Sequence, residues 1–192
     1  MDVLDRAAAA IRDGDLVVYP TETVYGLGAD ALDADAVERA FAAKGRPRDN
    51  PMSLGVPDVD AALDYVDASA REEEFMREFL PGPVTVVCAK RDVVPDALTG
   101  GRDRVGVRVP DHETALGLLE RVAPVTATSA NRSGRPSVRR VADLDPELRA
   151  AVAVVVDGGK TDGTESTVVD VAAGTIHRRG AQADAIEAWL QE

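Results

Sequence analysis

Apolar and polar positions along the chain recur with two alternating periods. Residues 2–13 read as an amphipathic helix that Gly14 ends. Residues 16–19 are a strand closed by Pro20. Residues 34–43 are helical, with Asp33 as N-cap. Residues 52–56 are a strand, 58–66 and 69–79 are helices, and Pro81-Gly82-Pro83 stops the second. The β-branched run 84–89 and the segment 105–109 are strands. Residues 112–122 are a helix and 125–128 a short strand. Residues 143–151 are helical, and 152–156 read as a buried strand. Residues 167–171 and 175–178 flank Ala173-Gly174 as a hairpin, and 182–190 form a last helix carrying Trp189. Strands and helices alternate irregularly and include a hairpin. The pattern predicts one α/β domain over 1–192, a twisted mixed β-sheet with flanking helices. No repeat, low-complexity tract or linker interrupts it.

Composition narrows the class. A chain of 192 residues with 45% apolar side chains holds one full core. No apolar run approaches the ~18 residues of a membrane span. The start is acidic and amphipathic, unlike a secretory signal. Cys88 is the single cysteine, and His112 and His177 stand far apart, so neither a disulfide nor a structural zinc site is expected. A cytoplasmic protein is expected.

The net charge is −12, and the cations are 19 Arg against 3 Lys. An acidic, lysine-poor surface fits adaptation to high salt, where screening tolerates self-repulsion; a GC-rich coding bias fits equally. A melting curve against KCl separates the two. Net acidity opposes non-specific nucleic-acid binding. Yet the cations cluster in 44–50, 102–108, 132–140 and 178–179, which points to one focused anion site.

Several polar, turn-rich segments follow strand ends, where open α/β sheets bind ligands, and one, 44–51, sits at a helix C-terminus, where cations also satisfy the helix dipole. Residues 20–28 bring two hydroxyls, a carboxylate and two glycines. Residues 44–51 set three cations and an asparagine between stiffening prolines, an array suited to phosphate. In 104–110, period-2 alternation puts Arg104, Gly106 and Arg108 on one strand face. A buried arginine there needs an anion, either a ligand or an internal Asp or Glu. Residues 126–137 run from a strand into small residues with hydroxyls, an amide and two arginines, groups that approach an anion closely. Residues 157–167 are rich in glycine and hydroxyls and read as a lid or a plain turn. The phosphate-loop, dinucleotide and nucleophile-elbow spacings are absent. Cys88, Phe75, Phe79 and Trp189 read as core, and Glu72-Glu73-Glu74 as a solvated helix face.

Taken in order, YPTETVYGLG (19–28), KGRPRDNP (44–51), PGPVT (81–85), VGVRVP (105–110), TSANRSGRPS (128–137) and GTESTVVDV (163–171) closely resemble the YrdC-like family of L-threonylcarbamoyl-AMP synthases. The resemblance covers nearly the whole chain. It implies a twisted mixed sheet around a concave, positive cleft. It also implies the short, single-domain type, without the C-terminal extension domain of longer members. The implied activity is that of a nucleotidyltransferase. L-threonine, bicarbonate and ATP give threonylcarbamoyl-AMP and pyrophosphate, the first step of threonylcarbamoyladenosine synthesis on tRNA.

The family's Lys-x-Arg and Ser-x-Asn pairs are Lys44/Arg46 and Ser129/Asn131. The resemblance makes these four the catalytic set, with Asn50, Ser137 and Arg178 completing the ATP site. Thr23, Arg108, the Ala127 backbone and Ser166 are implied for threonine, Arg108 taking its carboxylate. Mg²⁺ is expected on the phosphates and water, without a protein metal site. A downstream tRNA threonylcarbamoyl transferase complex is the implied partner, and no membrane is involved. The segment 158–166 is the candidate lid. Two departures stand out: Ser53-Leu54-Gly55 where the family often has a His or similar polar residue, and Arg178-Arg179-Gly180 for Arg-Pro-Gly. The alternative reading is an RNA-binding module using the same basic cleft.

Overall fold

The computed structural model describes all of residues 1–192. Helix α1 (Val3–Arg12) starts at Asp2 in a capping box: Asp2 accepts from the Asp5 N–H, and the Asp5 carboxylate accepts from the Asp2 N–H. Each end satisfies a donor that no earlier turn reaches. Strands β1 (Val17–Tyr19) and β2 (Gly26–Gly28) pair antiparallel. Asp33 caps α2 (Ala34–Lys44), and Gly45 ends it in the left-handed region at φ 58°. Then come β3 (Ser53–Gly55), the one-turn α3 (Val59–Ala62), β4 (Val66–Asp67) and α4 (Ala70–Phe79), the last boxed by Ser69 and Glu72. The long strand β5 (Val84–Lys90), the short α5 (Asp96–Thr99), β6 (Arg104–Arg108), α6 (Glu113–Val122) and β7 (Val125–Ser129) form the middle of the chain. A 3₁₀ turn at Val141–Asp143 leads to α7 (Pro146–Ala151) and β8 (Val154–Val155). The hairpin β9 (Thr167–Asp170) and β10 (Thr175–Arg178) precedes α8 (Ala183–Leu190).

The strands join into one mixed sheet in the order β10-β9-β5-β6-β3-β7-β2-β1-β8, with β4 on β5. The pairs β5/β9, β3/β6 and β1/β8 are parallel and the rest antiparallel. Side-chain alternation divides the sheet into two faces. One face carries Val18, Leu27, Leu54, Val86, Val105 and Val107 into a core of 36 buried residues with α2, α4, α5, α7 and α8. There Phe75 lies 4.5 Å from Phe79 and 5.0 Å from Trp189, which clasps α4 to α8. The other face carries Val17, Tyr19 and Val125 into a second core of 12 residues under α1 and α6. Those two helices cover only one end of that face. The uncovered remainder is the cleft. No helix is long and apolar enough to cross a membrane.

Most expected elements form within two or three residues of their predicted ends. Four expectations change. The helix over 58–66 shrinks to α3, because Val66 pairs with Lys90 and buries completely as an edge strand. The helix over 143–151 starts at Pro146 after a separate 3₁₀ turn. Strand β2 lies inside the polar 20–28 segment read as a loop. Glu72 is buried rather than solvated, since its carboxylate accepts the Ser69 N–H at the helix start and faces Arg104 at 3.6 Å.

Candidate active site

The uncovered sheet face forms one cleft of about 650 Å³. Its floor is built from small residues: Gly26, Ser53, Gly106 and Ala127. Gly106 is required by close approach. A Cβ there meets Ser53 Oγ within van der Waals overlap and Thr85 Cγ2 at 2.8 Å. We therefore expect Gly106→Ala to destabilise the chain by about 1–3 kcal/mol through overpacking. The double variant with Ser53→Gly recovers most of that loss in a chemical denaturation series. Equal stability of Gly106→Ala and the parent contradicts the close approach.

At the β6 C-terminal end, the turn after β1 holds Thr23 against Arg108. Thr21 Oγ1 donates to the Val24 carbonyl at 2.6 Å and accepts from the Thr23 and Val24 N–H groups, which fixes the turn. Arg108 Nη2 then donates to Thr23 Oγ1 at 2.9 Å and to Glu22 Oε1 at 2.7 Å. So Arg108 has an internal carboxylate and also lines the cleft. Both bonds leave from Nη2, and the Nη1 and Nε N–H groups, which lie on either side of Cδ, remain as single donors for a ligand carboxylate. Tyr19 lies beside them, fully buried, and burial pushes its phenol up to about 12 against the pull of Arg108. Glu22 was missed as a functional residue. The signal was present: a buried arginine needs an anion, and Glu22 sits in the adjoining strand-end motif.

The Lys44/Arg46 and Ser129/Asn131 pairs meet, but not as four groups facing the cleft. Lys44 is 1% exposed. Its Nζ donates to the carbonyls of Ser129 and Asn131, the latter at 2.7 Å. It therefore braces the 129–131 backbone from behind. Burial, and secondarily the Arg46 charge, pulls its ammonium down to about 7. Asn131 is also turned inward: its amide donates to the Arg132 and Arg135 carbonyls and closes that loop. Lys44 and Asn131, expected at phosphate, are thus engaged with backbone carbonyls and do not line the cleft. Arg46, Asn50 and Ser129 do line the cleft. Arg46 donates through Nε and Nη2 to the Asn50 and Pro51 carbonyls and to Asn50 Oδ1, which leaves Nη1 for an anion. Burial, then Arg178 across the cleft, lowers the Arg46 pKa. Arg46 and Arg178 both line the cleft and so stand around one volume.

The third group lies on the β9/β10 side. Arg178 donates to Ser166 Oγ at 2.9 Å and to the Ser166 carbonyl at 3.0 Å. A residue expected for nucleotide thus orients one expected for threonine. Ser137 stands at the rim without lining the cleft, and its hydroxyl donates to Glu165 Oε1 at 3.0 Å. Glu165 lines the cleft and was missed by the sequence reading. The 158–166 segment is anchored beside the amino-acid end: the Gly163 N–H donates to the Thr23 carbonyl at 2.7 Å, and the Thr161 N–H to the Arg139 carbonyl at 3.0 Å. Ala127 lines the floor. Gly55 borders it, and its missing Cβ points at Val125 Cγ2, 3.4 Å away under α6.

Three of the four cationic windows reach the cleft, through Arg46, Arg102, Arg104, Arg108 and Arg178, against the carboxylates of Glu165 and Asp170. Arg104 is held internally by Asp170 at 2.8 Å. The 132–140 window does not reach it: Arg132 pairs with Glu147, and Arg139 donates to the Thr161 carbonyl. No group of three or more His, Cys, Asp or Glu is placed to hold a metal ion.

Known proteins share both the sequence and this frame. A family model, Sua5_yciO_yrdC, described as telomere recombination, matches residues 9–180. Threonylcarbamoyl-AMP synthase of Pyrococcus abyssi is 46% identical over 172 residues, 86% of this chain and 49% of that protein. The Bacillus subtilis synthase is 41% identical over 87% of this chain and 49% of its own length. The chain thus spans about half the length of these two relatives. The Xanthomonas axonopodis synthase is 40% identical over 81% of this chain and 85% of its own length. Among solved structures, P. abyssi Sua5 complexed with L-threonine superposes with a TM-score of 0.87 at 43% identity, covering 92% of this chain and 54% of that one. Escherichia coli YciO superposes at 0.82 with 27% identity, covering 93% and 89%. The family match over 9–180, the shared fold and the ordered motifs around one cleft agree, and the chain belongs to the Sua5/YciO/YrdC family.

Proposed function

We propose that this chain is an L-threonylcarbamoyl-AMP synthase, a nucleotidyltransferase acting on L-threonine, bicarbonate and ATP in the first step of tRNA threonylcarbamoyladenosine synthesis. One observation carries the reading. A single cleft holds a buried arginine with unengaged Nη1 and Nε donors, Arg108, and an anion-binding arc of Arg46, Asn50, Ser129 and Arg178. The names of the relatives and the L-threonine held by P. abyssi Sua5 support it.

In this reading Arg108 receives the amino-acid carboxylate, and Thr23, Ala127 and Ser166 hold its remaining polar groups. The amine adds to CO₂ derived from bicarbonate, loses a proton and becomes a carbamate. A carbamate oxygen attacks the α-phosphorus of ATP, and the bond to pyrophosphate breaks. The nucleophile belongs to the substrate, so the protein contributes positioning and charge stabilisation. Arg46 Nη1, Ser129 Oγ, Asn50 and Arg178 face the phosphates. Lys44 and Asn131 act one layer behind, by fixing the Ser129 loop. Mg²⁺ enters with ATP, held by phosphate oxygens and water, which suits a cleft without a carboxylate cage. The product passes to a tRNA threonylcarbamoyl transferase complex in the cytoplasm.

The test is pyrophosphate release from ATP and Mg²⁺, at high and low KCl, with threonine and bicarbonate each omitted in turn. Release that needs both is the expected result. Release with neither, or with another amino acid only, overturns the assigned chemistry. No release in any salt, with retention on RNA, favours the RNA-binding module.

A further inference from the structure

We propose that Glu165 is the ribose-reading residue of the cleft, accepting a hydrogen bond from the nucleoside's vicinal hydroxyls. This deepens the proposed function and rests on its nucleotide site. A carboxylate in an anion cleft cannot face phosphate, because like charges repel. The ligand group that meets it is therefore a neutral donor. Three observations locate that donor. Glu165 Oε1 already accepts from Ser137 Oγ at 3.0 Å, so the carboxylate is oriented, and Oε2 is left toward Arg178 at 3.9 Å. Arg46, Arg178 and Glu165 line the same cleft, and Ser137 and Arg178, both assigned to the nucleotide, are the side chains that meet the Glu165 carboxylate, so Glu165 adjoins the phosphate arc. The ribose is the neutral portion of a nucleotide that adjoins its phosphates, and its hydroxyls are donors. The backbone is also fixed: the Glu165 carbonyl accepts from the Ala181 N–H at 3.0 Å, and the next residue is held by Arg178. The other cleft carboxylate, Asp170, is engaged by Arg104 and by the Ala173 N–H, so it does not compete for this role.

The experiment measures Mg²⁺-nucleotide dissociation constants for ATP, 2′-deoxy-ATP and 3′-deoxy-ATP, with the parent chain, Glu165→Gln and Glu165→Ala. Glu165 is exposed at the rim, so both variants fold. The parent is expected to lose about tenfold or more for at least one deoxynucleotide, as for a hydrogen bond to a charged acceptor. Glu165→Ala brings the three constants within about twofold by weakening ATP alone. Three results overturn the inference: equal binding of all three by the parent, discrimination that survives Glu165→Ala, or tighter ATP binding by Glu165→Ala, which makes Glu165 a resident anion that nucleotide displaces. Parent protein that binds none of the three removes the nucleotide site, and this inference with it; intact ATP binding without discrimination removes the inference alone.

Discussion

Lys44→Met lowers turnover by about a hundredfold while the chain stays folded. Methionine keeps the length and the apolar packing of the lysine stem, and α2 has no other need of the charge. What disappears is the Nζ amino group that gathers the Ser129 and Asn131 carbonyls. The Ser129 loop then relaxes, and a displacement of about 1 Å in a positioning group is worth about 10²-fold in rate. The pH dependence of stability separates this from a loss of fold. The folded-state pKa of Lys44 is about 7, below the ordinary 10.5 of a lysine. Between those values the unfolded chain binds the extra proton, so stability rises with pH. Below about pH 7 both states are protonated, and the buried ammonium costs on the order of 5 kcal/mol relative to an unburied one. Against this stand the two carbonyls left without a partner in the variant, worth about 1–3 kcal/mol each. The two effects are similar in size, so the net stability change at pH 7 is small. The slope is the signature: denaturation between pH 7 and 9 shows a rise in the parent that Lys44→Met lacks. A Lys44→Met variant with full turnover ends the bracing role.

The fold was legible where one local signal decided the element. Asp33 and Gly45 bracket α2, and alternation along 104–108 put Arg104, Gly106 and Arg108 on the face that became the cleft. It was illegible where a distant partner decided. Gly26-Leu27-Gly28 has no β-branched residue and reads as a turn. It is a strand because the absence of side chains lets the Tyr19 ring lie across it: a Cβ at Gly26 meets Tyr19 Cζ at 3.0 Å. Val66 left its helix for an edge pairing that the periodicity of 58–66 does not contain.

The site divides in the same way. Residue types at motif positions announced an anion site, and the fold gathers Thr23, Arg46, Asn50, Arg108, Ala127, Ser129, Ser166 and Arg178 onto one surface. Side-chain direction was not announced. A lysine stem runs equally well toward solvent or inward, and only the carbonyls of the 129–131 loop drew Nζ behind the cleft. Asn131 likewise faces whichever carbonyls its own loop leaves unpaired. The acids were the other blind spot. In a search for cations, Glu22 and Glu165 read as loop residues, yet each sets the geometry of an arginine or a hydroxyl at the cleft.

Arg108→Ala raises the threonine requirement by about a hundredfold, with a smaller effect on the rate at saturation. A charge-assisted hydrogen bond from a guanidinium to a carboxylate is worth about 1.5–3 kcal/mol, and the substrate carboxylate loses both that donor and its positive charge. The same change has a structural cost, because Arg108 and Glu22 are largely buried and the carboxylate loses its cation. Breaking such a pair costs about 3–5 kcal/mol. The two consequences are separable. Glu22→Gln added to Arg108→Ala removes the stranded charge, so the double variant recovers most of the stability. It recovers none of the threonine affinity, because the donor to the substrate carboxylate is still missing. Arg108→Lys fails in the same way, since an ammonium reproduces neither the fork nor the simultaneous bonds to Glu22 and Thr23. An unchanged threonine requirement in the stable double variant moves the amino-acid carboxylate to another residue. Arg108 is then left as the internal partner of Glu22 that the buried strand position alone allowed.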